Sequence, residues 1–65
     1  MKRYVKELAA DRVRDIRGCI RYCEKNGVGD LNFHEMQLER IAEILIQCEY
    51  GYISDYEACR LILEA

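Results

Sequence analysis

The sequence predicts an all-α fold: one three-helix domain spanning residues 1–65, in which a long N-terminal helix packs on a C-terminal antiparallel helical hairpin. Three observations carry that expectation. Apolar side chains recur at steps of three and four in three separate stretches, capping residues or glycines bound those stretches, and no run alternates as a strand would. With no proline, four glycines, 51% hydrophobic and 34% charged residues, the composition is that of a folded domain rather than a disordered one.

The first helix is expected over about residues 3–25. Val5, Ala9, Val13, Ile16, Ile20 and Cys23 follow at steps of four, four, three, four and three, and Leu8 and Cys19 widen the stripe. Gly18 in its interior costs about 1 kcal/mol relative to alanine, so close packing or a small bend is expected there. "NGVGD" ends the run with two glycines that supply a cap and a turn. The second helix is expected over 33–49: Asn32 caps it, Glu35 reaches back to complete a capping box, and Leu31 and Met36 form a hydrophobic staple. Leu38, Ile41, Ala42, Ile44, Leu45 and Cys48 make its main apolar face. The third helix is expected over 55–64, with Gly51 closing the helix before it, Ser54 as cap and Glu57 as the far side of a second box. Tyr56, Cys59, Ile62 and Leu63 are assigned to its inward face. The short connection makes the last two helices an antiparallel hairpin.

A chain of 65 residues hides only roughly 60% of the surface its unfolded form exposes, so disulfides, a metal or self-association would be the usual supplements. The opening stretch "MKRYVKELAADRVRD" lacks the apolar run of about 7–15 residues of a signal peptide and the run of about 20 of a membrane span, which predicts a cytoplasmic protein without a membrane partner. In that compartment Cys19, Cys23, Cys48 and Cys59 are expected to be thiols. They lie on three helices without a CxxC knuckle, so they are expected to act as small core hydrophobes rather than zinc ligands, and neither metal nor cofactor is expected. His34 is the single histidine, and there is no phosphate loop, nucleophile elbow or HExxH. The chain is therefore not expected to be an enzyme.

Charge is divided along the chain. Residues 1–25 carry eight basic and four acidic side chains, a net of +4, and residues 26–65 carry two basic and eight acidic, a net of −6. At about 100° per residue, Arg3, Lys6, Arg14, Arg17, Arg21 and Lys25 fall within one sector of the first helix. That row is either a solvated face, offset by Glu7, Asp11 and Glu24, or a surface for an acidic protein or a phosphate, since guanidinium groups bind oxyanions in pairs. Duplex DNA is disfavoured because the acidic hairpin would repel its phosphates.

Arg12 falls mid-way across the apolar stripe and so requires a partner: Glu35, Glu39 or Glu43 of the same fold, or another subunit or ligand. Arg12, Arg14, Arg17, Arg21 and Lys25 are thus the candidate residues for binding a partner or anion. Phe33, Ile46 and Tyr50 lie away from the main face of the second helix, and Leu61 away from the inward side of the third. They form a candidate apolar interface, unless the second helix is sandwiched between the other two. A homo-oligomer is the expectation.

The stretch "IAEILIQCEYGYISDYEACRLILEA" resembles a SHOCT-type helical hairpin, in which a helix leads into G-(hydrophobic)-I-S/T-x-x-E and a second helix, over about 25 residues. That resemblance implies an interaction or oligomerisation element. From "MKRYVKELAAD" to "GYISDYEACRLI" the whole chain also resembles small uncharacterised helical proteins of Firmicute phages and mobile elements. This second resemblance implies an accessory role; proteins of that origin include inhibitors of host immunity, some blocking CRISPR effectors and some sequestering cyclic nucleotides. The expected function is a non-enzymatic, self-associating binding protein that inhibits a host factor by occupying its surface. The alternative is an oligomeric sponge holding a cyclic nucleotide through Arg12, Arg17, Arg21 and tyrosines.

Overall fold

The computed structural model describes all of residues 1–65 and contains three helices, α1 (Arg3–Asn26), α2 (Leu31–Glu49) and α3 (Asp55–Glu64). The fold is all-α, with α1 packed against both α2 and α3. At about 1.5 Å per residue, the 24 residues of α1 run about 36 Å, most of the 40 Å long dimension of a molecule that is 18 × 15 Å across. α3 has only 10 residues and so covers less than half of that length.

Val5, Ala9 and Ile16 of α1, Ile41, Ile44 and Cys48 of α2, and Ala58 and Ile62 of α3 form the core. Val5, Ala58 and Ile62 are fully enclosed. The α1 periodicity holds, except that Cys19 is exposed and therefore not part of the buried stripe. Ala42, assigned to the main face of α2, is exposed as well. Gly18 neither packs closely nor breaks the helix, for a Cβ placed there would meet nothing within 4 Å and α1 continues to Asn26.

The turns explain the boundaries. Gly27 caps α1 in the left-handed region (φ 65°), its N–H and that of Val28 both donating to the Cys23 carbonyl. Gly29 (φ 87°) then crosses directly over Cys23, where any Cβ would fall on the sulfur. At the other turn, the Tyr52 N–H donates to the Gln47 carbonyl at 2.9 Å and the Gly51 N–H to Cys48 at 3.1 Å, closing α2 in a Schellman arrangement.

α2 starts two residues earlier than expected. Asp30, not Asn32, is its cap: Asp30 is extended and its Oδ1 accepts from the Phe33 N–H at 3.1 Å, a carboxylate placed where the helix dipole favours negative charge. Asn32 and Glu35 consequently lie inside the helix, and Leu31 and Met36 are both exposed instead of stapled. Ser54 does cap α3, accepting from the Glu57 N–H at 3.1 Å. The Glu57 carboxylate turns to Arg60 at 2.7 Å rather than back to Ser54.

α3 is rotated relative to the expectation. Ala58 and Ile62 are fully buried and Leu61 packs against the core, whereas Tyr56 is 77% and Leu63 is 63% exposed. The small Ala58 lets α3 sit close to the other helices, and an inward tyrosine would need both room and a partner for its hydroxyl. Leu61 is thus a core-packing residue and not left-over interface.

Candidate functional site

Three arrangements on this scaffold offer chemistry or contact. The first is at the junction of all three helices. Asp55, in the first turn of α3, accepts from the Lys2 backbone N–H at 3.4 Å and from the Cys48 thiol at 3.3 Å, tying the start of α1 and the end of α2 to α3. Burial, and then the bond and charge of Asp55, hold the Cys48 thiol above its ordinary pKa. The nearby Tyr4 phenol is raised as well, first by desolvation and then by Asp55. A thiol kept protonated in this way is a poor nucleophile, so the junction is a structural clasp.

The second is a polar chain that ends on Ala65. The Ala65 carbonyl accepts from Gln37 Nε2 at 3.1 Å and from an Arg12 terminal nitrogen at 3.4 Å, and His34 Nδ1 lies 2.9 Å from Gln37 Oε1. With the amide nitrogen committed to Ala65, the His34 ring nitrogen is the donor to Gln37. Arg12 Nε is buried without a partner. Glu35, Glu39 and Glu43, expected as partners for Arg12, are all exposed and pair with no cation, whereas Arg12 donates to the carbonyl at the end of α3. A groove of about 270 Å³ adjoins this chain, lined by Phe33, Met36, Gln37, Arg40, Glu64 and Ala65. It is a shallow groove open to solvent, unlike the enclosed pockets that bury most of a small ligand.

The third arrangement is the outer surface of α1 and α2. Arg14, Arg17, Arg21 and Lys25 are exposed on α1. Arg14 is held by Asp11 at 2.6 Å and Arg3 by Glu7 at 2.9 Å, while Lys6, Arg17, Arg21 and Lys25 make no ion pair. Arg12 does not belong with them: it lies on the core side, so Arg12, Arg17 and Arg21 do not line a common pocket within one chain. On α2, Glu35, Glu39, Glu43 and Glu49 are exposed and likewise unpaired. Every ion pair of the chain lies within a single helix, so the charge division between α1 and α2 is not neutralised by contact between them. No protein-family model, curated protein or solved structure matches the chain.

The expected apolar interface is split. Ile46 (56% exposed) and Tyr50 (74%) share one face of α2 at a spacing of four, whereas Phe33 (55%) stands on another flank beside Met36 and Arg40. Sequence reading assigned Met36 to a staple and did not single out Gln37 or Arg40, although the spacing of the three from Phe33 of three, four and seven is that of one helix flank. Tyr56 and Leu63, expected to face inward, instead form an outward stripe on α3 with Arg60. Glu57 and Glu64 flank that arginine at 2.7 and 3.3 Å and raise its pKa further, Glu57 contributing most. No helix is long and apolar enough to cross a membrane.

Proposed function

We propose that the chain is a non-enzymatic, self-associating binding protein of the cytoplasm that acts by occupying a partner's surface, as an inhibitor of a host defence factor carried by a phage or mobile element. The observation that carries this reading is where its large side chains are. All five tyrosines are at least half exposed, and Phe33, Met36, Ile46 and Leu63 are each more than half exposed, while the core is built largely from isoleucine, valine and alanine. Tyrosine, phenylalanine and methionine are enriched in protein interfaces, and exposed apolar surface of this extent in so small a protein favours contact over isolation.

The unpaired Arg17 and Arg21 support recognition of an acidic surface, where charge sets orientation and association rate more than final affinity. The test has two parts. Light scattering from micromolar to millimolar protein should give a mass above the 7.7 kDa of one chain. Expressed in a bacterial host with an active defence system, the chain should restore phage plating, and Tyr50→Ala together with Ile46→Ala should lose that effect while circular dichroism stays helical. A single-chain mass at every concentration removes self-association; unchanged plating with the wild-type chain across a panel of defence systems removes the inhibitor role.

A further inference from the structure

α1 and α2 form a two-helix layer with α3 on one side only, and the geometry points to the bare side as the docking surface for a second copy of this chain, α1 of each copy lying against α2 of the other. This rests on the self-associating reading above and specifies its interface. Along the bare side Val13, Leu38 and Leu45 are only half-buried although they pack against the core, and Ala10, Ala42 and Ile46 are exposed. Two alanines facing outward let helices of another copy approach to the roughly 8–10 Å of ordinary helix packing.

Charge decides the occupant and its orientation. One edge of the bare side carries Lys6, Arg17 and Arg21 of α1, and the other carries Glu35, Glu39 and Glu43 of α2. None of the six is paired within the chain, and no ion pair joins two helices. A two-fold axis running across the helices would set α1 on α1, cation against cation. An axis running along them sets α1 on α2, antiparallel, and each favourable contact then occurs twice by symmetry.

The rows also match in pitch. Arg17 and Arg21 are four residues apart, as are Glu35 and Glu39, a rise of about 6 Å in each helix. An axis along the helices keeps every residue at its own height, and counting outward from the turn at Gly27–Asp30, Arg21 comes level with Glu35 and Arg17 with Glu39. The acidic surface that suits α1 is therefore the α2 of a second copy.

Charge reversal by halves tests this. Arg17→Glu with Arg21→Glu sets carboxylates against Glu35 and Glu39 in a self-pair, and Glu35→Arg with Glu39→Arg sets guanidiniums against Arg17 and Arg21. Each double variant alone should dissociate at least tenfold more readily than the wild type. Mixed one to one, they regain every opposite-charge contact and should form a mixed dimer at near wild-type concentration, read by native mass spectrometry or sedimentation. The wild-type dimer should also loosen as salt rises. Recovery on mixing rules out misfolding as the cause of the individual losses. A wild-type dimer whose variants stay paired alone, or stay single when mixed, overturns this interface and leaves self-association standing. A wild-type chain that stays single at millimolar concentration overturns both, and leaves the exposed charges for an unrelated acidic protein.

Discussion

Ile62 and Leu63 are adjacent in sequence, similar in volume and opposite in environment, which makes them a direct test of how α3 is rotated. Ile62 is fully buried among core residues of α1 and α2, and Leu63 is 63% exposed. Ile62→Ala removes three carbons from a filled site and should cost about 2–5 kcal/mol, the transfer loss plus the cavity left behind. Against a total stability of about 3–10 kcal/mol for a chain of this length, that is at least about a fifth of what holds the fold and, at the upper end, all of it. Ile62→Val, at about 0.5–1.5 kcal/mol, is the milder probe should the alanine variant not fold. Leu63→Ala removes surface already in water and should fall within about 0.5 kcal/mol. Thermal melts by circular dichroism at the lowest workable concentration separate these, since each kcal/mol moves the midpoint of a small domain by about 4–8 °C. Ile62→Ala should therefore lower it by about 10 °C or more, and Leu63→Ala by a few degrees at most. Equal losses from the two, or a larger loss from Leu63, would refute the rotation of α3 and with it the outward stripe of Tyr56, Arg60 and Leu63.

Glycines 18 and 29 should respond with opposite sign: Gly18→Ala, with open space at its Cβ, should raise stability by about 0.5–1 kcal/mol, and Gly29→Ala, strained at φ 87° and blocked by the Cys23 sulfur, should lower it by more than that. In urea titrations, Asp30→Ala should cost about 1 kcal/mol by removing the cap of α2, and Asn32→Ala only a few tenths. Because the folded protein holds the Cys48 pKa above its unfolded value, its contribution is complete below the ordinary thiol range of about 8.5 and is lost as pH rises through the folded pKa, so melting temperature should fall above about pH 8.5 and Cys48→Ala should remove that part of the slope. Under native conditions a thiol reagent should label exposed Cys19 first, half-buried Cys59 more slowly, and buried Cys23 and Cys48 only on opening.

The helices were legible because periodicity reports burial directly: the α1 stripe from Val5 to Cys23 and the Ile41–Ile44–Cys48 seam of α2 appear in the sequence as they do in the fold. What was not legible depends on choices that local pattern leaves degenerate. Around the first turn of the chain, Asp30 and Asn32 are both good caps, and Asp30, directly after the Gly29 that crosses over Cys23, is the one that caps. In α3, the expected stripe of Tyr56, Cys59, Ile62 and Leu63 is as regular as that of Ala58, Leu61, Ile62 and Ala65; Ile62 and Cys59 do pack inward, and Tyr56 and Leu63 do not. The second stripe wins because its first member is small enough for close approach, a property of the neighbours rather than of the helix. A ten-residue helix has too little pattern to settle its own rotation.

The candidate site divides along the same line. A sequence shows how much charge each segment carries, so the basic first part and acidic remainder were visible at once. It does not show whether those charges meet. If α1 and α2 had turned their charged rows towards each other, Arg17 and Arg21 would be neutralised internally and would have nothing left to recognise. They are instead free on the surface, and the one arginine that sequence placed inside, Arg12, bonds a carbonyl at the end of α3 rather than a glutamate of α2. Exposed ion pairs within a helix, such as Arg3 with Glu7, contribute only a few tenths of a kcal/mol each. Leaving the longer-range complementarity unused therefore costs the single chain little, while it keeps cations and carboxylates available in matched rows for contact with another molecule.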